Sequence, residues 1–124
     1  LFLACDMPWI SAALLRAVMR RAAASGGALF VRHAGLAGFP FVLPRAVLLE
    51  VAEQFVRRAY SLQALAQRLR ARVWTPPARW RAQLRNLNTP EDWERARREW
   101  RAAGGKTSRP ARRVACQTRA ASLR

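Results

Sequence analysis

The chain opens on an unbroken apolar run, Leu1-Phe2-Leu3-Ala4-Cys5, that stops at Asp6-Met7-Pro8. Continuous apolarity predicts a strand covered on both faces, as in parallel sheets, and Pro8, with no N–H to donate, ends its ladder. Ser11 then suits the N-cap of a helix over about 12–24, with Leu14, Leu15, Val18 and Met19 on one face and Ser25-Gly26-Gly27 as its stop. Ala28 to Val31 reads as a second strand, Gly35 and Gly38 mark a turn, and Phe39 to Leu43 reads as a third strand. Pro44 opens a helix to about Ala59, with Leu48, Val51, Ala52 and Phe55 at helical spacing. Ser61 caps a further helix over roughly 62–70, striped by Leu62, Leu65 and Leu69.

Beyond these, Val73-Trp74-Thr75 reads as a short strand halted by Pro76-Pro77, and Leu84 to Leu87 as another strand candidate. The last helix carries the clearest start signal. Thr89 suits its N-cap, Pro90 its first position, and Glu91 and Asp92 complement the positive helix end. Trp93, Ala96 and Trp100 form its stripe, expected to pack, and Gly104-Gly105 ends it. Alternating strands and helices define an α/β fold. Residues 1–103 are read as one domain and 104–124 as a basic tail without periodicity, expected to be disordered. Because the chain starts inside what reads as a central strand, it is expected to be the C-terminal part of a longer domain, incomplete at its N-terminus.

Composition changes this picture little. A chain of 124 residues with 52% hydrophobic residues can form one modest core. The formal charge of +16 invites a nucleic-acid partner, but only Lys106 among the 23 basic residues is lysine, and seven of them fall in 101–124. Charge speaks to association rather than fold, so nucleic acid is not the preferred partner. Cys5, Cys116 and the single histidine His33 lack zinc or disulfide-framework spacing, which points to reduced cysteines and a cytoplasmic protein. No apolar run is long enough to span a bilayer.

Two segments carry chemistry. Asp6 directly ends an apolar strand, where open α/β sheets bind their ligands, and its hard oxygen suits Mg²⁺; equally, aspartate favours the turn before a helix. In Asn86-Leu87-Asn88-Thr89-Pro90-Glu91-Asp92, alternation puts Asn86 and Asn88 on one side of an extended segment. Their amide oxygens suit a metal or phosphate, or form an Asx turn into the capped helix. Arg32 and His33 follow a strand, Trp74 and Trp80 lie among arginines, and Arg79, Arg81 and Arg85 suit either an anion or a solvated loop.

Leu1 to Pro8 followed by a helix resembles the middle of the molybdenum cofactor guanylyltransferase family, and Asn86 to Asp92 resembles its closing motif. Between them, Gly38 to Leu43 resembles the family's central strand and Ser61 to Leu65 the helix after it, so the resemblance covers roughly residues 1–100. It implies a Rossmann-like nucleotidyltransferase that joins GMP from GTP to molybdopterin and releases pyrophosphate. It further implies Mg²⁺ held by Asp6 as the catalytic carboxylate, with Asn88 beside the metal and Asn86 orienting its neighbour or touching substrate. GTP and molybdopterin are the partners so implied, with molybdoenzymes or other cofactor-biosynthesis proteins as further ones.

The family's Gly-rich phosphate loop is not among these residues, since Gly104-Gly105-Lys106 follows a helix rather than a strand, so these 124 residues by themselves are expected to be inactive and marginally stable. Phe39-Pro40 stands where many members have His-Pro. A cytidylyltransferase, or a relative using another small acceptor, remains open, although the Asn-Leu-Asn form tilts toward GTP. A basic nucleic-acid- or partner-binding module without catalysis is the alternative of another class.

Overall fold

A computed structural model describes residues 1–104. The tail read as disordered lies outside the described residues from 105 onward, as does Cys116. The chain divides into two compact units, Leu1–Thr89 and Pro90–Arg124.

The first unit is built on helix α1 (Ala12–Ser25), strands β1 (Leu29–His33) and β2 (Leu36–Val42), helices α2 (Leu48–Val56) and α3 (Leu62–Arg68), strand β3 (Arg72–Trp74) and helix α4 (Ala78–Arg81). The sheet order is β2-β1-β3. β1 pairs antiparallel with β2 through a tight hairpin and parallel with β3. On the outer side of β2, Phe2 forms an antiparallel bridge with Phe41, their N–H and C=O groups exchanging bonds of 2.8 and 3.1 Å. The first segment, β1 and β3 therefore run the same way, with β2 alone reversed. Their carboxyl ends lie along one edge of the sheet.

Side-chain alternation along β1 builds both layers of the core. Leu29 and Val31 join Leu14, Val18 and Ala22 of α1, together with Met7 and Leu84. Ala28 and Phe30 face the other way, with Phe41 and with Leu65 and Ala66 of α3. Phe2, Phe41 and Phe30, in register across three neighbouring segments, stack with ring centroids 4.8 and 4.7 Å apart. Such cross-strand aromatic contact stabilises beyond simple area burial.

Both predicted serine caps are present. Ser11 accepts from the Leu14 N–H at 3.3 Å and Ser61 from the Ala64 N–H at 3.3 Å. Gly26 closes α1 in the left-handed region at φ 65°, its N–H returning to the Ala22 carbonyl. Proline is tolerated inside β2 because the register shifts there: Phe30 faces Phe41 but Val31 faces Gly38, so Phe39 and Pro40 bulge out of the ladder.

Four expectations are corrected. The first segment is extended but is no regular strand covered on both faces. Leu1, Phe2 and Leu3 are about half exposed, because β2 is its one ladder neighbour among the described residues. On α1, Met19 is exposed and Ala17 and Ala22 take its place in the buried face. The helix expected from Pro44 starts as a 3-10 turn over Arg45–Val47 and runs only to Val56. Its apolar stripe is largely uncovered: Leu48 and Phe55 are exposed, while the buried side chain is Gln54, whose amide donates to the Ser61 carbonyl at 3.0 Å. Helical periodicity shows that a face is apolar, not that anything lies against it. Finally, Leu84 to Leu87 is not a strand. A 3-10 turn over Ala82–Leu84 leads into an extended stretch outside the sheet.

The second unit is described as helix α5 (Pro90–Ala102), starting where the Thr-Pro-Glu-Asp signal places it. Its acids pair locally, Asp92 with Arg95 and Glu94 with Arg97. Trp93 and Trp100 are 56% and 45% exposed. Among the described residues, no helix is long and apolar enough to cross a membrane.

Candidate active site

The first segment, β1 and β3 present their carboxyl ends on one edge, where crossing strands leave room for a ligand. Asp6 follows the first of these strands and His33 ends the second. The stretch Arg85 to Asn88 passes beside Asp6 although it comes some 80 residues later. Asn86 Nδ2 donates to Asp6 Oδ2 at 3.0 Å, and the Leu87 N–H donates to the Asp6 carbonyl at 2.9 Å. An ionised carboxylate only accepts, so the asparagine must turn its amide nitrogen toward it.

A second tie holds this stretch in place. Gln83 Oε1 accepts from the Ser11 hydroxyl at 2.8 Å and from the Ser11 N–H at 3.1 Å. The residue that caps α1 thus also anchors the approach to Asn86. Buried Leu84, between Gln83 and Asn86, plugs into the α1-side core. Replacing Ser11 with alanine is expected to cost about 1 kcal/mol for the cap alone. For a unit of this size that lowers the melting temperature by roughly 4–8 °C, measurable by circular dichroism.

Asp6 Oδ1 is shut off from solvent and has no hydrogen-bond partner. A buried, unpaired oxygen on a charged group is costly unless a cation or donor meets it. One oxygen of Glu50 on α2 shares this condition, but only Asp6 stands at the carboxyl edge. No group of three or more His, Cys, Asp or Glu exists among the described residues, which disfavours a closed all-protein metal cage. A single carboxylate with amide neighbours fits Mg²⁺, which keeps waters and binds substrate phosphates alongside one or two carboxylates. Asn88, two positions beyond Asn86, is exposed.

Beside this pair opens a pocket of about 380 Å³, lined by Asn86, Met7 and His33 and walled across by Tyr60, Gln63 and Phe39. Alternation puts His33, and not Arg32, into it. Phe39 offers an apolar wall there. Gln63 braces the far wall, its amide donating to the Ala37 carbonyl at 3.0 Å. Trp74 and Trp80 do not line this pocket; they meet edge to face, 5.7 Å apart, beside α1. Gln83, Gln63 and Tyr60 had no legible sequence signal, since each acts on a partner distant along the chain or through the pocket's shape. Cys5 is a free, exposed thiol.

A mixed sheet flanked by helices, with an acid at the carboxyl edge, defines an α/β protein built on the nucleotidyltransferase plan. The MobA-like NTP transferase domain matches residues 1–74, more than half of the chain, and the chain belongs to this family of nucleotidyltransferases. The match includes Asp6 and ends before Asn86. No curated protein and no solved structure matches the chain.

Proposed function

We propose that this chain serves in the transfer of GMP from GTP to the phosphate of molybdopterin, as a Mg²⁺-dependent cytoplasmic enzyme. The observation that carries the proposal is the Asp6–Asn86 pair with its buried, unpartnered Asp6 Oδ1. In the reaction a phosphate oxygen of the acceptor attacks the α-phosphorus of GTP, the bond to the bridging oxygen breaks, and pyrophosphate leaves. Mg²⁺, when bound, supplies positive charge against the phosphate oxygens. Asp6 provides the anionic oxygen that holds it, with Asn88 beside it. Asn86 fixes the Asp6 carboxylate through one oxygen so that the other stays free. The pocket walled by Tyr60 and Phe39 suits the flat pterin of the acceptor.

The test is transfer of α-labelled GTP or CTP to molybdopterin by the protein as encoded. Transfer from GTP at least ten times faster than from CTP is expected. A preference for CTP would move the chain to the cytidylyltransferase branch. Salt-sensitive binding to random DNA with no transfer at all would favour the non-catalytic alternative. Asn86→Ala is expected to weaken Mg²⁺ dependence roughly 10–100-fold, as for other residues that orient a metal ligand. The readout is the Mg²⁺ concentration giving half-maximal rate; an unchanged value would remove Asn86 from this role.

A further inference from the structure

A second recess lies on the α1 side of the sheet and shares no lining residue with the pocket beside Asn86. It measures about 310 Å³ and is lined by Arg20, Arg21, Arg79, Trp74 and Trp80 with a proline and two alanines. Arg20 comes nine residues after Ser11, or roughly 14 Å farther along the helix axis at about 1.5 Å per residue. We propose that this recess is a binding site for a di- or triphosphate group.

The charge is one-sided. Three arginines line the recess, no acid does, and none of the three pairs with a carboxylate among the described residues. Two of the three are not freely solvated arms. The Arg21 guanidinium lies 4.6 Å from the Trp74 ring centroid, and that of Arg79 lies 4.5 Å from the Trp80 ring centroid. The indoles meet edge to face and pack against the α1-side core, so they hold the guanidiniums on a firm base. A planar guanidinium laid on an aromatic face still presents its N–H edge outward. That edge matches phosphate oxygens in forked geometry.

The same contacts argue against a stacked nucleobase, because arginines already occupy the indole faces. Size narrows the choice further. The volume is near the lower end for small-ligand pockets, roughly 300–1,000 Å³, and suits a phosphate chain better than a folded partner. Free pyrophosphate and the tail of a nucleoside triphosphate share this chemistry. The inference does not depend on the role given to Asp6.

The experiment titrates pyrophosphate, and separately GTP, into the protein in the presence of EDTA, followed by calorimetry and tryptophan fluorescence. Saturable binding that weakens with added salt is expected. Arg21→Ala with Arg79→Ala should weaken it at least about tenfold and Arg20→Ala several-fold, while Asp6→Ala leaves it unchanged. The lysine pair Arg21→Lys with Arg79→Lys keeps the charge and guards against a folding artefact; an intermediate affinity is expected from loss of the fork. Equal affinity for the two probes assigns the site to phosphate alone, and tighter GTP assigns it to a nucleotide; either result upholds it. Absence of saturable binding, an unchanged affinity in the alanine pair, or an equal loss in Asp6→Ala would overturn it.

Discussion

Asp6→Ala is expected to lower nucleotidyl transfer by at least roughly 100-fold, and added Mg²⁺ should not restore it. Among the described residues, the side chain is the one carboxylate at the carboxyl edge, and its Oδ1 is buried with no hydrogen-bond partner. Truncation removes the negative charge that would hold the metal and leaves the Asn86 amide facing nothing. Asp6→Asn separates the two losses. It preserves the size of the side chain but not its charge, so its rate should fall nearly as far. Asn86→Ala behaves differently, since it only loosens the carboxylate and high Mg²⁺ should recover much of its rate. Activity of Asp6→Ala within a few-fold of the parent would end the metal-holding assignment. A loss mirrored by a collapsed melting curve would instead make Asp6 a structural turn residue.

The largest effect on stability is expected from Phe30→Ala. Phe30 is fully buried, stacks on Phe41 at 4.7 Å and faces α3 across the sheet. Removing a phenyl ring from such a site costs about 3–5 kcal/mol, through lost transfer energy and the cavity left behind. Small domains have about 5–15 kcal/mol in total, so the variant should unfold at much lower urea or fail to fold. Val56→Ala on α2 is the control. That side chain is 83% exposed, and the change should stay within about 0.5 kcal/mol. A Phe30→Ala midpoint close to the parent's would mean that the β1–α3 layer contributes little.

The candidate site was legible at its two ends but not across them. Asp6 is marked in the sequence by the apolar run that stops at it, and Asn86 by its place before the Thr-Pro-Glu-Asp start signal of α5. Their hydrogen bond depends on Gln83 clamping Ser11, 72 residues away, and on Leu84 entering a core built from the first third of the chain. No local pattern carries that information. The same limit explains α2, whose stripe of Leu48 and Phe55 promised a buried face while Gln54 is the side chain that is covered. It also explains Leu84 to Leu87, where one buried leucine in an irregular turn mimics the start of a strand.

The buried, unpartnered Asp6 Oδ1 shows the division between local and tertiary information most clearly. By itself, the sequence determined the helix caps at Ser11 and Ser61, the stop at Gly26, the alternation that sends Leu29 and Phe30 to opposite layers, and the acid at the end of the first segment. These follow from local backbone chemistry and short-range periodicity. Only the tertiary structure decided that Asn86 meets Asp6, that Asp6 Oδ1 is left without a partner, that His33 and Asn86 line one pocket with Tyr60, and that Arg21 and Arg79 rest on indole rings. Each depends on where the sheet order and the core bring distant segments, and burial is a property of the assembled layers rather than of any stretch of chain.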